Sequence, residues 1–284
     1  MNNDQKCSVS FFKIAYTFAK ETIDRRMILH IYKTCVATAM SRALTYRLNF
    51  LLSMIITLCF NLFLPLTTIL IYNSGASFPG WNFYEVLLIQ SIFTLSLGLA
   101  YVLFSNVLWS TMQHIREGSF EVVLLRPVNP LFFLIATNFD TGSFGLLIGG
   151  GAMFGIAIAH TGVTSPSAVA QFLLLFAAGF AVMTGFQMIM AATSFKWVGN
   201  SRLPDILDSI LSFGKYPVSI FPHAVKTIAS FIIPVGIIGF YPASALLGRL
   251  DLFMLISVIP CVLFMLFGIW LYHYMVKMYE GVGG

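Results

Sequence analysis

Residues 51–72 read LLSMIITLCFNLFLPLTTILIY, with no Asp, Glu, Lys or Arg among them. An α-helix crossing a hydrocarbon core of about 30 Å needs about 20 such residues. The run does not alternate apolar and polar positions, so a barrel strand is excluded. In lipid only helices and closed barrels satisfy their own backbone, so the stretch reads as a membrane-crossing helix. Five further apolar runs follow, at about 86–109, 137–160, 168–195, 224–248 and 252–274. The fifth contains Pro234 and Tyr241-Pro242, and it supports two readings. One is a short span followed by a re-entrant or interfacial helix at 241–250; the other is a single kinked span. The expected fold is an all-α polytopic membrane protein with six transmembrane helices, an N-terminal amphipathic elbow helix and both termini cytoplasmic.

Composition points the same way. Of 284 residues, 58% are apolar and 10% charged, against about a quarter charged in soluble domains. The net charge of +5 does not argue for nucleic acid, because the charges sit between apolar runs. With the N-terminus inside, fifteen of the sixteen Lys and Arg residues face the cytoplasm and only Arg249 lies outside, which sets the orientation. Cys7, Cys35, Cys59 and Cys261 have neither metal-ligand nor redox spacing. No cleavable leader is visible, so the first span is expected to act as its own insertion signal. Residues 1–50 form a cytoplasmic or interfacial segment. In it 8–23, with Phe11, Phe12, Ile14 and Phe18 among Lys13, Lys20 and Glu21, reads as a helix lying in the membrane interface. A second helix is expected at about 29–48. Residues 51–284 form the transmembrane domain.

Several chemistries are missing. The one Gly-Lys pair, Gly214-Lys215, precedes Tyr216 and lacks the upstream glycine of a phosphate-binding loop. The five histidines are scattered at span ends and loops. The six runs carry no ionisable residue in their interiors, although ion-coupled carriers usually need one. No catalytic, cofactor-binding or metal site is therefore expected, and the energy for any transport must come from elsewhere. Gly145, Gly149, Gly151 and Gly155 in the third run let helices approach closely, and packing within the subunit is the expected use.

The loop at 110–133 holds the most local information. Gly118 breaks the helix descending from the second span, Ser119 can cap a new one, and Glu121 suits its positive end. Pro127 stops it, and Pro130 is expected to prevent a quick restart. A short rigid helix at about 119–126 results, with Phe120, Val123 and Leu124 available for contact. Farther on, Pro204 to Phe213 places Ile206, Leu207, Ile210 and Leu211 on one helical face and Asp205, Asp208 and Ser209 on the other. This reads as an interfacial helix in a second inner loop, 196–223.

The string REGSFEVVLLRPVNP at 116–130 resembles the signature of permease subunits of type II ABC exporters, in the branch often encoded as two permeases beside one ATPase. The later YPVSIFP at 216–222 resembles that branch too. The resemblance implies that the short helix is a coupling helix seated in a groove of a separate ATPase, with Glu117, Gly118, Phe120, Leu124, Leu125, Arg126 and Pro127 at the contact. It implies two ABC ATPase subunits that carry ATP and magnesium, while this chain binds no cofactor and is not itself an enzyme. A second permease, identical or related, and membrane lipids are the other partners, with no nucleic acid. A multi-pass place in the inner (plasma) membrane of a prokaryotic cell follows. The 28 Phe residues suit an amphipathic, hydrophobic or lipid-like cargo. The alternatives are a transporter or channel working without an ATPase, and a non-transporting membrane assembly protein.

Overall fold

In the computed structural model, which describes residues 25–162, 165–197 and 202–279, every regular element is a helix. Helix α1 (Arg25–Thr45) passes at Tyr46 into α2 (Arg47–Asn73). Helix α3 (Phe83–Ala100) runs on through a π turn at Tyr101–Ser105 into α4 (Asn106–Arg116), forming one rod of 34 residues. Two short helices follow, α5 (Phe120–Leu124) and α6 (Pro130–Thr137), then α7 (Phe144–Thr161) and α8 (Pro166–Thr193). The chain continues with α9 (Arg202–Ser212), α10 (His223–Thr227), α11 (Gly236–Leu246), α12 (Leu252–Ile256) and α13 (Val258–Lys277). Five rods are long and apolar enough to cross a membrane: α2, α3–α4, α7, α8 and α12–α13. The end of the bundle carrying residues 117–129 is called the near end, and that carrying 74–82 the far end. The predicted helix at 8–23 lies outside the described residues.

Helix α8 is the hub, packing against α13, α11, α3 and α4. Apolar burial does little to drive helices together in lipid, so close contact through small residues matters more. A Cβ on Gly268 of α13 would stand 2.6 Å from the Gly185 carbonyl oxygen of α8, and one on Gly179 would stand 3.0 Å from the Ile237 oxygen. Gly142, just before α7, admits Ser53 of α2; on α7 itself Gly145 admits Met54 of α2, and Gly150 admits Thr94 and Leu95. These glycines are used for packing within the chain. Gly151 and Gly155, by contrast, face open space.

The third apolar run is shorter than its hydropathy suggests. Helix α6 ends at Thr137, and the crossing helix begins only at Phe144. Between them the Asp140 carboxylate accepts bonds from the Gly142 amide (2.9 Å) and the Ser143 hydroxyl (2.6 Å). A side-chain acceptor of this kind competes with the helical ladder and breaks it. Pro130, expected to prevent a restart, instead opens α6. Asn129 caps that helix by accepting from Leu131 N at 2.9 Å, and a proline lacks the amide that the first helical turn would leave unpaired.

The fifth crossing differs most from the sequence expectation. The run at 224–248 is a pair of arms, Ala224–Ile232 and Gly236–Leu246, bent by 98°. Both arms pack against the far half and the middle of their neighbours. Ser96 Oγ donates to Ile238 O (3.5 Å), and a Cβ on Gly239 would meet Ile89 O at 2.7 Å. Phe231 packs on Phe253 (4.7 Å), and Arg249 bonds Glu85 at 2.6 Å. Glu85 also accepts from the Asn82 amide, closing the start of α3. The pair is therefore a hairpin dipping in from the far end, with Pro234 at its bend. The crossing itself is made by residues 202–222. Leu207 packs into both the near and the far core clusters and Leu211 into the far one. Lys215 Nζ then lies over Phe93 (5.5 Å), Tyr216 packs on Phe78 (6.0 Å), and Trp81 Nε1 donates to Ser219 Oγ (3.0 Å). Hydropathy selected the hairpin because it is apolar, and its second arm, Gly236–Leu246, is buried throughout, whereas the true crossing is amphipathic. Three expectations are thereby corrected. Residues 202–212 stand upright instead of lying in the interface. Lys215 and Lys226 join Arg249 in the far half. Asp208 and Lys215 place charge inside a crossing segment.

Gly239 sits where three backbones meet, since its Cβ would also stand 2.9 Å from Gly214 O. Gly239→Ala is expected to destabilise the detergent-solubilised chain by about 1–3 kcal/mol, the usual cost of overpacking. Gly151→Ala, which adds a methyl into open space, should leave the thermal midpoint unchanged or raised. Equal midpoints for the two variants would contradict this packing.

Candidate functional site

The near-end loop is built on a glycine-terminated helix. Gly118 takes φ +66, its amide reaches Ile115 O (3.2 Å), and Ser119 N reaches His114 O (2.8 Å). This pair of bonds satisfies carbonyls left open at the end of α4 and turns the chain sharply. The Ser119 side chain does not cap α5, as the sequence suggested; it bonds the His114 ring at 2.8 Å. Helix α5 is one turn long, spanning Phe120–Leu124 within the expected 119–126.

Phe120 fixes that turn to the bundle. It is fully buried, with Phe195 edge-on at 4.9 Å and Tyr279 at 5.2 Å. Phe195 in turn contacts Tyr272 (5.5 Å), whose hydroxyl lies 3.3 Å from that of Thr111 on α4. Edge-to-face pairs of this kind add about 0.5–1.5 kcal/mol each beyond their burial. Val123 is buried beside Phe120. Burial, and then the Glu121 carboxylate, raise the Tyr279 phenol above its ordinary value, so the ring stays neutral in its socket. A second tie comes from Asn129, whose Nδ2 meets His273 Nε2 at 3.0 Å while His273 Nδ1 meets Ile269 O at 2.8 Å. Thus α5 is anchored to the end of α4, the span it descends from, and also to the ends of α8 and α13, which it does not join.

The residues of the loop, those singled out from the sequence and Val122 beside them, divide into three groups. Phe120 and Val123 point inward, so they hold the helix instead of facing outward. Glu117, Glu121, Val122, Leu125, Arg126 and Pro127 are exposed, Leu125 at 75%. Leu124 and Gly118 are half-buried. Glu117 accepts from Gln113 (2.9 Å), and the Arg126 guanidinium lies over Phe133 at 5.6 Å. A groove of about 370 Å³ lined by Trp109, Met112, Gln113, Arg116 and Glu117 opens alongside. The result is an apolar and charged ridge on a stiff base. Sequence reasoning missed Phe195, Tyr272, Tyr279 and His273, because they lie 70 to 160 positions away. Only Asn129, a capping residue before proline, carried a local signal. Among the described residues, no three His, Cys, Asp or Glu side chains converge on a possible metal position.

A comparison with known families matches residues 55–283 to the ABC-2 family transporter proteins. No curated protein matches the chain.

Phe120→Ala should empty the socket. A loss of about 3–5 kcal/mol is expected, read as a lowered thermal midpoint in detergent. Leu125→Ala, on the exposed ridge, should leave that midpoint in place. A Phe120→Ala variant as stable as the parent would show that the aromatic socket does not hold the loop.

Proposed function

The chain belongs to the ABC-2 transporter family, and from that premise we propose that it is a permease subunit driven by a separate ABC ATPase. Two permeases, identical or related, enclose the transport pathway, and two ATPases bind at the near end, which faces the cytoplasm. ATP and magnesium belong to those partners. The direction is export, and the cargo is an amphipathic, hydrophobic or lipid-like small molecule. The chain resides in the plasma membrane of a prokaryotic cell, with residues 1–50 serving as a cytoplasmic or interfacial segment.

The observation that supports this reading best is the α5 ridge. Its exposed Val122, Leu125 and Arg126 form a docking surface, while Phe120 locks the same turn to the ends of α4, α8 and α13. A stiff element of that kind transmits a partner's closure into helix movement, whereas a loose loop would absorb it. Glu117 and Gly118 set the angle of the ridge, and Leu124 and Pro127 bound it.

A second reading draws on Asp208 and Lys215, which place charge within a crossing segment. Such groups are common in gradient-driven carriers. Uptake by the purified chain in liposomes under an ion gradient, with no ATPase present, would favour that reading. A non-transporting assembly role would require that no added solute stimulates an associated ATPase.

The docking surface has a direct test. Val122→Asp with Leu125→Asp should abolish co-purification of the ATPase while leaving the thermal midpoint of the permease within about a degree or two, because both residues are exposed. Retained association with the double variant, or no ATPase bound to the intact chain, would sink the proposal.

A further inference from the structure

We infer that an ordered water molecule is bound at mid-membrane where α2, α3 and α7 meet. It accepts a hydrogen bond from Asn61 Nδ2 and donates one to Gln90 Oε1. This stands apart from the reading of the chain as a permease and holds or fails without it.

The spacing of the sequence gathers the polar groups. Asn61, Pro65 and Thr68 follow at intervals of four and three near the middle of α2, so they share one helical face. Gln90 and Thr94 share a face of α3 in the same way. Helix α2 is the least buried of the five rods, and Pro65 and Thr68 are its fully buried residues. Two side-chain bonds cross from α3 to this face. Gln90 Nε2 donates to Thr68 Oγ1 (2.8 Å), and Thr94 Oγ1 donates to Asn61 Oδ1 (3.2 Å). The first bond fixes the Gln90 amide. Thr68 gives its own proton to Leu64 O (3.1 Å), so its oxygen can only accept there, and Gln90 must present its NH2 group. Gln90 Oε1 and Asn61 Nδ2 are left over. Both atoms are buried without a hydrogen-bond partner among the described residues, and Gln90 is buried completely. Pro65 adds a third group, since it has no amide to donate to the Asn61 carbonyl one turn back.

This set of groups selects the ligand. Unpaired polar atoms are strongly disfavoured at membrane depth. A cation would satisfy the oxygens but not the Asn61 NH2 group, and an anion would do the reverse. Water both gives and takes, and buried waters make about three hydrogen bonds. Here they are to Asn61 Nδ2, Gln90 Oε1 and the Asn61 carbonyl oxygen. Gln90 and Thr94 are one turn, about 6 Å, apart along α3, and the two amides approach that gap from its two ends. Helix α7 leaves the room. It meets this corner at Gly149, where even a Cβ would stand 3.8 Å from Asn61 Nδ2 and 3.9 Å from Leu58. The next residue seals it, because a Cβ on Gly150 would meet the Thr94 methyl at 2.9 Å. The water thereby fixes the rotation of α2. Turning that helix about its axis would carry these groups out of register and leave them unpaired.

The full chain, crystallised from a lipid mesophase at a resolution that shows ordered water, tests this directly. A density peak is expected within hydrogen-bonding distance of both Asn61 Nδ2 and Gln90 Oε1. An empty corner, or a direct bond between the two amides, overturns the inference. A peak ringed by oxygens alone also overturns it, because that is a cation. In solution a cation would make the thermal midpoint fall when sodium chloride is replaced by choline chloride, in the parent but not in Gln90→Met. A water site gives the parent the same midpoint in both salts. A double-mutant cycle supplies a readout that needs no diffraction. Asn61→Leu and Gln90→Met should each lower the midpoint by several degrees, and the double variant should fall by less than the sum of the two, because both side chains serve one water. Fully additive losses overturn the shared site. If either variant fails to accumulate, the density of the unsubstituted chain carries the test.

Discussion

Close approach of backbones at glycine is the constraint on which this bundle depends. In lipid, exclusion of water offers helices no reason to associate, so contact area at short range must supply the stabilisation. Helix α8 can be a hub because Gly185 faces Gly268 and Gly179 faces Ile237 and Ile238. Side chains at those positions would hold α13 and α11 away. With α11 displaced, Gly239 would lose its seat against Ile89 and Gly214, and residues 213–221 would have no surface to climb. The hairpin and the fifth crossing are thus consequences of a few missing Cβ atoms.

The same hub explains how the near end is organised. Phe195 follows directly from α8, and it is the edge against which Phe120 packs. Tyr272 comes from α13, the helix most extensively packed on α8, and Tyr279 from the turn directly after it. A displacement of α5 would therefore reach the two best-packed helices of the bundle as well as its own covalent neighbours. These rings interlock, so they can shift together but not independently. Asn129 and His273 add a hydrogen-bonded tie of fixed direction alongside it.

The far end shows the reverse arrangement. There charge is neutralised locally: Arg249 meets Glu85 and lies over Trp81 at 5.0 Å, and Glu85 also closes the first turn of α3. Gly248, at φ +71, makes this possible by turning the chain after α11 so that Arg249 N bonds Ser244 O. The cation singled out by the charge pattern as lying outside is thus a structural latch on the hairpin.

Five of the crossing helices, the short loop helix and its glycine break were legible in the sequence. Each depends on local composition: twenty apolar residues need lipid, and Gly118 followed by Pro127 confines a helix to one turn. The family resemblance was legible for the same reason, since its signature is contiguous. Tertiary structure alone decided the remainder. Hydropathy measures how apolar a stretch is and cannot separate an apolar hairpin from a span, so 224–248 displaced 202–222 in the reading. Periodicity shows that α9 is amphipathic, but whether it lies flat or stands upright depends on its contacts with the α3–α4 rod, more than a hundred residues earlier. Phe120 looked like a contact residue because an apolar side chain on a short helix needs a partner. That partner proved to be Phe195 and Tyr279 of the same chain, brought to it by packing at distant glycines.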